Sequence, residues 1–338
     1  MLKRSALLME RAKSPRADNP ALLLGAAMAV LSLQKKDKLT LLSSPAFARF
    51  GDWAEQLVAE STGKEGRGVT PVTAENAETV SEYGSDRFFV ALAEEKDSCL
   101  NKRLGELRQA GHPSLVFRVS AKEDLGAEFY RWEMATAVAG AILGINPFDQ
   151  PDVQDAKDRT RAVLKSLEGA KKPAAKAEPL GGASLKGRAS AAVGTKNPWI
   201  SFWKGLKVRE AVHLLAFLPD RPPIRRALEK MRAAIRSRTK AAVTASLGPR
   251  YLHSTGQLHK GGPDNAIFLM LTARRRGRLP VPGEKYSFEE LESAQATGDF
   301  QALDARGRRV LWIELAGFGP SQIGTVEKAI RKTLGHLS

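Results

Sequence analysis

The chain has 338 residues, of which 43% are hydrophobic, so it is long enough for two ordinary domains with real cores. Its single cysteine, Cys99, excludes a disulfide framework and any multi-cysteine metal site. The formal charge of +16 favours an anionic partner such as nucleic acid, acidic lipid or a phosphorylated metabolite. The apolar run at 21–33 is too short to cross a bilayer, and no cleavage site follows it, so we expect a cytoplasmic protein without a membrane partner.

Apolar, β-rich runs alternate with amphipathic helical stretches through the first half of the chain. The run at 21–33 is predicted to be a buried helix capped by Asp18 or Asn19, with Pro20 in its first turn. This alternation is typical of βαβ units with a parallel sheet. The predicted strands are 38–44, 87–94 and 114–120, and the predicted helices are 46–61, 99–111 and 125–143.

Residues 146–151, Asn-Pro-Phe-Asp-Gln-Pro, are predicted to form a rigid elbow between two helices. A proline fixes its own φ and disfavours helix for the residue before it. Asp149 is available to cap a new helix that begins at Pro151, so capping chemistry alone is one explanation of the motif. Lys157 follows about two turns into that helix.

The order of predicted elements recurs after residues 168–198, a stretch of Ala, Gly, Lys, Pro and Ser that predicts a flexible linker. We therefore predict an internal duplication, with one α/β unit at 1–167 and a repeat-like α/β unit at 199–338. The predicted strands of the second unit are 211–219, 266–274 and 308–315, and its predicted helices are 222–239, 287–298 and 321–335.

Two stretches carry candidate acid–base side chains. Residues 56–68 end a helix at Glu60 and continue as a glycine-rich turn, where a carboxylate could serve as a general base. Residues 248–262 place His253 beside hydroxyl side chains, and imidazole suits proton transfer near neutral pH. A solvated surface glutamate and a structural histidine are the alternatives that these residues leave open.

Together these three stretches resemble the glucose-6-phosphate isomerase family, most closely the isomerase part of its fusions with transaldolase. The family carries a Gln-Leu-x-x-Glu-Ser-x-Gly-Lys-(Asp/Glu)-Gly-Lys-Gly run, a Leu-His-Ser-x-Gly-Gln run and an Asn-Pro-Phe-Asp-Gln-Pro-x-Val-x-x-x-Lys run. This chain matches them at 56–68, with Arg67 in place of lysine, at 252–257 and at 146–157. The resemblance covers nearly the whole chain except the predicted linker, and it implies two sugar-isomerase (SIS)-like units.

The resemblance also implies a reaction, the glycolytic and gluconeogenic interconversion of glucose 6-phosphate and fructose 6-phosphate through a cis-enediol. In that reaction Glu60 would carry the proton between C2 and C1, while Lys157 and His253 would serve ring opening. No metal or redox cofactor is implied, and the sequence offers no ligand cluster for one. We expect the three side chains to meet in one cleft, with His253 supplied by the same chain or by the partner in a homodimer. The implied substrate-binding residues are Ser61, Gly63, Lys64, Gln150, Ser254 and Gln257.

Two features depart from the family pattern. The His motif follows the Lys motif, an order that also occurs in the transaldolase fusions. The Ser/Thr-rich phosphate loop and the Gly-Gly-Arg segment of the family's first sugar-isomerase domain are not found. We therefore expect the C-terminal portion of a larger enzyme, which works with that domain and a transaldolase domain in cis or in trans; whether the chain is active alone stays open.

Two other functions remain open at this point. One is a non-catalytic sugar-phosphate-binding module, because isomerase-type α/β domains also serve as ligand sensors. The other is nucleic-acid binding through the basic runs at 221–240 and 273–278, which are equally consistent with a solvated helix face. No nucleic-acid recognition motif accompanies these runs, so we expect no specific nucleic-acid partner. The three motifs together favour the enzyme.

Overall fold

The computed structural model places two α/β units along the chain. Unit 1 comprises Met1–Gln150 and Ser254–Pro263, and unit 2 comprises Pro151–His253 and Asp264–Ser338. Within the described ranges, no helix is both long enough and apolar enough to cross a bilayer. The structure describes residues 6–7, 9–10, 14, 16, 18–75, 77–120, 122–169, 177–180, 185–194, 196–274, 277 and 279–337.

Unit 1 is built on a four-stranded parallel sheet in the order β2-β1-β3-β4. Every residue of β3 is buried, which fits a strand covered on both faces. The strands are β1 (Lys38–Ser43), β2 (Thr70–Val72), β3 (Arg87–Ala93) and β4 (Ser114–Arg118). The helices are α1 (Pro20–Leu33), α2 (Phe50–Thr62), α3 (Ser98–Gln109), α4 (Leu125–Leu143) and, from the later segment, α8 (Gly256–Gly261).

The first helix begins where its capping chemistry predicts. Asn19 is the cap: its side-chain oxygen accepts hydrogen bonds from the backbone N–H groups of Ala21 at 3.0 Å and Leu22 at 3.4 Å. Pro20 occupies the first helical position, where its missing N–H costs nothing. The helix then packs along α4, and Leu24 and Met28 are fully buried in the unit 1 core.

Unit 2 carries a six-stranded sheet in the order β5-β6-β10-β9-β7-β8. Strands β7 to β10 are parallel, while β6 pairs antiparallel with both β10 and β5. The strands are β5 (Glu178–Pro179), β6 (Lys186–Ala189), β7 (Ala211–Phe217), β8 (Ala242–Leu247), β9 (Ala266–Ala273) and β10 (Arg309–Leu315). The helices are α5 (Pro151–Gly169), α6 (Pro198–Lys204), α7 (Pro222–Thr239), α9 (Phe288–Ala305) and α10 (Pro320–Leu337).

The two sheets share one strand order. In unit 1 the first strand lies between the second and third, with the fourth outside the third; β7, β8, β9 and β10 repeat that arrangement in unit 2. The prediction of parallel α/β units flanked by helices is confirmed, and the common order agrees with the predicted internal duplication. Strands β2 and β8 were not among the predicted elements.

The sequence predicts a flexible linker at 168–198, but the described residues of this stretch include two strands. Residues 178–179 and 186–189 form β5 and β6, and Leu180 and Leu185 are buried in the core of unit 2. Strand β6 joins the sheet through backbone hydrogen bonds to β10, which need no apolar run in the sequence. Gly187 permits the approach, because an added Cβ would lie 1.8 Å from the carbonyl oxygen of Trp312. Residues 170–176, 181–184 and 195 lie outside the described residues.

The unit boundaries also differ from the predicted ones at 167 and 199. Helix α5, which the prediction assigned to the first half, belongs to unit 2, because it packs along α9 within that unit. Ser254–Pro263, which the prediction assigned to the second half, belongs to unit 1. Both exchanges occur at the motifs singled out in the sequence.

Asp97 caps α3, and its removal gives a first test of the fold. Its carboxylate accepts hydrogen bonds from the Leu100 N–H at 3.0 Å and the Ser44 hydroxyl at 2.8 Å, and these bonds lower the pKa of Asp97 below its usual 3.8. We expect Asp97→Ala to destabilise the protein by about 1 kcal/mol in urea unfolding, and Asp97→Asn by less, since asparagine also caps.

The pH dependence of this contribution has a definite sign. Because the folded pKa is depressed, the stabilisation by Asp97 is complete above the unfolded pKa and is lost as the pH falls below 3.8 through the folded value. The stability difference between the parent and Asp97→Ala should therefore shrink in acid. A difference that grows in acid would contradict the assignment.

Candidate functional site

The glycine-rich motif after α2 forms a tight turn. The backbone groups of Lys64 and Arg67 face each other as an antiparallel bridge, with N···O distances of 3.1 and 2.8 Å. Glu65 and Gly66 between them have φ values of 53° and 72°, the left-handed pair that a type I′ turn requires. The turn is tied back to the helix by the Thr62 hydroxyl, which accepts a hydrogen bond from the Val69 N–H at 3.0 Å.

The segment that follows His253 packs directly on this turn within unit 1. The side-chain amide of Gln257 donates to the Gly63 carbonyl at 3.0 Å, and the Gly66 N–H donates to the Gly261 carbonyl at 2.9 Å. Gly63 makes the contact sterically possible, since an added Cβ would lie 2.3 Å from the Cα of Leu258. Two of the three motifs thus form one packed structure.

Lys64 joins the third motif to the same turn. Its side chain is only 2% exposed, and its ammonium donates to the Asn146 carbonyl at 2.6 Å and to the Asp149 carbonyl. It also forms an ion pair with the Asp149 carboxylate at 2.9 Å. Arg67 adds a hydrogen bond to the Leu143 carbonyl at the end of α4. The elbow is therefore anchored to the Glu60 motif by Lys64, and the end of the preceding helix α4 is anchored by Arg67.

The elbow also has internal order. The Asn146 side-chain oxygen accepts a hydrogen bond from the Phe148 N–H at 3.0 Å, and its amide donates to the Asp149 carboxylate at 3.2 Å. The interpretation of Asp149 as the helix cap is corrected, because its carboxylate binds Lys64 and Gln150 is the residue that directly precedes α5. The rigid, non-helical elbow before Pro151 is present as predicted.

The three predicted catalytic residues lie on separate elements. Glu60 is half-buried in the last turn of α2, and its carboxylate accepts a hydrogen bond from the Gln56 amide at 3.2 Å. Lys157 is exposed on α5 of unit 2. His253 is exposed at the end of the short helical turn Arg250–His253, also in unit 2. The convergence of these side chains in one cleft stays a prediction.

The six predicted substrate-binding residues fall into two groups. Gly63, Lys64 and Gln257 hold the motifs together through the contacts described above, and their contact with substrate stays a prediction. Ser61 is half-buried, Ser254 is buried and Gln150 is exposed, and their contact with substrate stays a prediction.

Tyr251 fixes the turn that carries His253. Its hydroxyl donates to the Asp299 carboxylate at 2.7 Å, both side chains are about 1% exposed, and its ring meets Phe217 edge-on at 5.6 Å. Burial, reinforced by the neighbouring carboxylate, raises the pKa of Tyr251 well above its usual value. The hydroxyl therefore stays protonated as a donor, which keeps the turn in place.

We expect Tyr251→Phe to destabilise the protein by about 2 kcal/mol, because a buried carboxylate loses a donor. Tyr286→Phe is the matched control: Tyr286 belongs to the same unit and is only half-buried. Urea unfolding of the two variants gives the comparison. Equal, small effects of both substitutions would contradict the role assigned to Tyr251.

In the part of the chain that the structure describes, no group of three or more His, Cys, Asp or Glu side chains comes together as a metal site.

Comparison with known proteins gives related enzymes. No family model matches the sequence. Glucose-6-phosphate isomerase from Leptospira biflexa serovar Patoc is 29% identical over 171 residues, covering 39% of this chain and 38% of that protein. The enzyme of the same name from Rubrobacter xylanophilus is 29% identical over 205 residues, covering 48% and 47%. The Enterococcus faecalis enzyme is 25% identical over 168 residues, covering 38% and 37%.

This chain therefore spans less than half the length of these curated relatives. A solved glucose-6-phosphate isomerase from Chlamydia trachomatis D/UW-3/Cx aligns with 97% of this chain and 69% of its own, at 12% identity and a TM-score of 0.29.

The structure shows an α/β protein whose parallel strands are flanked by helices, with a glycine-rich turn after α2. Over 38–48% of its length the chain is similar to glucose-6-phosphate isomerases.

Proposed function

We propose that this chain takes part in the interconversion of glucose 6-phosphate and fructose 6-phosphate. The observation that carries the proposal is the packing of three motif segments against one another in unit 1: the turn at 63–68, residues 146–150 of the elbow and the segment at 254–263. Glu60 directly precedes this packed structure. A carboxylate with a rigid support and an exposed side is suited to general-base catalysis.

In the proposed mechanism the Glu60 carboxylate removes the proton from C2 of the open-chain aldose. Proton gain at O1 gives the cis-enediol, and return of the carbon-bound proton to C1 with loss of the proton from the C2 hydroxyl gives the ketose. One base thus serves both carbons, and the reaction is a net shift of hydrogen within the sugar. The His253 imidazole exchanges a proton with the ring oxygen during ring opening. The Lys157 ammonium stabilises the negative charge that develops on oxygen.

The anchored elbow supports the part assigned to Lys157. Lys64 holds the carbonyls of Asn146 and Asp149, which belong to unit 1 and precede α5 in the sequence. Ring opening and proton transfer both depend on placing charged groups to within fractions of an ångström. Similarly, Tyr251 restrains the turn that ends at His253.

The proposal includes a partner domain. The part that the relatives share with this chain is 37–47% of their own length, and the Ser/Thr-rich phosphate loop is not found in the sequence. We propose that a first sugar-isomerase domain, in cis or in trans, supplies the binding of the phosphate group. Binding energy from the phosphate would then be used to stabilise the transition state.

The test measures fructose 6-phosphate formed from glucose 6-phosphate by the chain alone and by the chain mixed with a first sugar-isomerase domain. Turnover in either sample is the expected result. Calorimetric binding of glucose 6-phosphate without turnover in both samples would instead establish the non-catalytic sugar-phosphate-binding module. Neither binding nor turnover would overturn both functions.

A further inference from the structure

Unit 2 contains a cavity that the proposed reaction does not use. It lies at the carboxyl ends of β7, β9 and β10, and its volume of about 680 Å³ falls within the range of small-molecule sites. The residues that line it include Arg221, Ile224, Arg274, Phe318, Ser321 and Gln322. We propose that this cavity binds a small organic phosphate.

The position of the cavity in the sheet supports a binding role. The chain runs from β7 outward to β8 on one side and from β9 outward to β10 on the other, so the order reverses between β7 and β9. In open parallel sheets, ligands bind outside the carboxyl ends of the strands at such a reversal. The cavity occupies that place in unit 2.

The charges around the cavity favour an anion. Asp220 pairs with Arg225 at 2.5 and 2.7 Å, so this acid is neutralised by a residue outside the lining. Among the described residues, Arg221 has no acidic partner and its side chain is exposed. Arg274 binds Glu314 at 2.8 Å yet remains 65% exposed, which leaves part of its guanidinium accessible. An arginine fork matches the geometry of a phosphate group.

Two helices begin at the cavity and add to the positive electrostatic potential there. Helix α7 starts at Pro222 and α10 at Pro320, and neither has an acidic residue in its first turn. The positive ends of both helix dipoles are therefore not compensated by their own side chains. Near the start of α10 the Ser321 hydroxyl donates to the side-chain oxygen of Gln322 at 3.0 Å, and both residues line the cavity.

The rest of the lining is apolar, which points to an organic ligand rather than a bare ion. Pro219, Pro223 and Ile224 contribute apolar side chains to the lining, and Phe318 lies on the glycine-flanked loop before α10, with 38% of its surface exposed. A phosphate at the arginines would leave the carbon skeleton of the ligand against these side chains. The inference is independent of Glu60, Lys157 and His253.

The experiment titrates glycerol 3-phosphate into the ¹⁵N-labelled chain and follows amide shifts and affinity at physiological salt. We expect shifts at Gly317 and Gly319, and a loss of affinity of about tenfold for Arg221→Ala and for Arg274→Ala, since each removes a charge-assisted bond. Arg226→Ala is the matched control, because Arg226 is an exposed arginine of the same helix outside the lining. It should change the affinity less than about twofold, as a screened, distant charge does.

Three results would overturn the proposal. The first is an equal loss of affinity in Arg226→Ala, which would indicate a general charge effect. The second is loss in Lys157→Ala without loss in Arg221→Ala, which would place binding elsewhere. The third is displacement of the probe by random duplex DNA at physiological salt, which would identify the basic run at 221–240 as a nucleic-acid surface.

Discussion

Replacement of Gly63 by alanine is expected to release the segment at 254–263 from unit 1 and to destabilise the protein by about 3 kcal/mol, at the upper end of overpacking effects. The new Cβ would lie 2.3 Å from the Cα of Leu258 and 2.8 Å from the Ala59 carbonyl oxygen. Both neighbours are backbone atoms, so no rotamer change relieves the clash. The φ of −77° at Gly63 suits any residue, so the cost is steric rather than conformational.

The matched control for this substitution is Gly105→Ala in the middle of α3. An added Cβ there meets nothing within 4 Å, and alanine is the better helix former, so a stabilisation of about 0.5–1 kcal/mol is expected. The local readout is hydrogen exchange of the Gly66 amide, which donates to the Gly261 carbonyl. Retained stability together with full protection of that amide in Gly63→Ala would contradict the packing described for the site.

Replacement of Lys64 by methionine should loosen the elbow and cost about 3 kcal/mol, because hydrogen bonds to a charged donor are lost at a buried position. Two backbone carbonyls, those of Asn146 and Asp149, lose their ammonium donor. The Asp149 carboxylate is 53% exposed and regains water, so the effect stays below that of a fully buried ion pair.

Chymotrypsin gives a direct readout of the elbow, because Phe148 is 84% exposed and lies in the anchored segment. Cleavage after Phe148 should be faster in Lys64→Met than in the parent. Lys102→Met, which removes an exposed lysine from α3, is the charge-matched control and should be cleaved like the parent. Parental cleavage and stability in Lys64→Met would show that the lysine does not anchor the elbow.

The long, strongly patterned elements could be predicted from the sequence. The strands at 87–94 and 266–274 contain continuous apolar runs at 88–93 and 266–271, and the start of α1 follows from Asn19 and Pro20, since both signals are local. Two of the strands that were not predicted, β2 and β6, lack such signals. Strand β2 has three residues including Pro71 and lies at a sheet edge, where proline is tolerated, and β6 joins the sheet through backbone bonds beside Gly187.

The residue types of the candidate site could also be predicted from the sequence. Which of these residues hold the motifs together could not. The motif at 56–68 shows a cation near a carboxylate, which is consistent with Lys64 either contacting a substrate or holding the protein together. The Lys64 side chain is buried against Asn146 and Asp149, which lie 82 and 85 positions later in the sequence. This contact is a property of the tertiary structure. The same holds for Gln257, whose partner Gly63 lies 194 residues earlier in the chain.

The most direct test of the proposed chemistry is the exchange of the C2 proton of glucose 6-phosphate with solvent deuterium, followed by NMR in the form of the protein that turns over. Glu60→Gln should slow this exchange by about 10²–10⁴-fold, the usual contribution of a positioned general base. Glu65→Gln, which removes the same charge from an exposed position in the glycine-rich turn that follows α2, should exchange at the parental rate. Exchange at the parental rate in Glu60→Gln would contradict the assignment of Glu60 as the base.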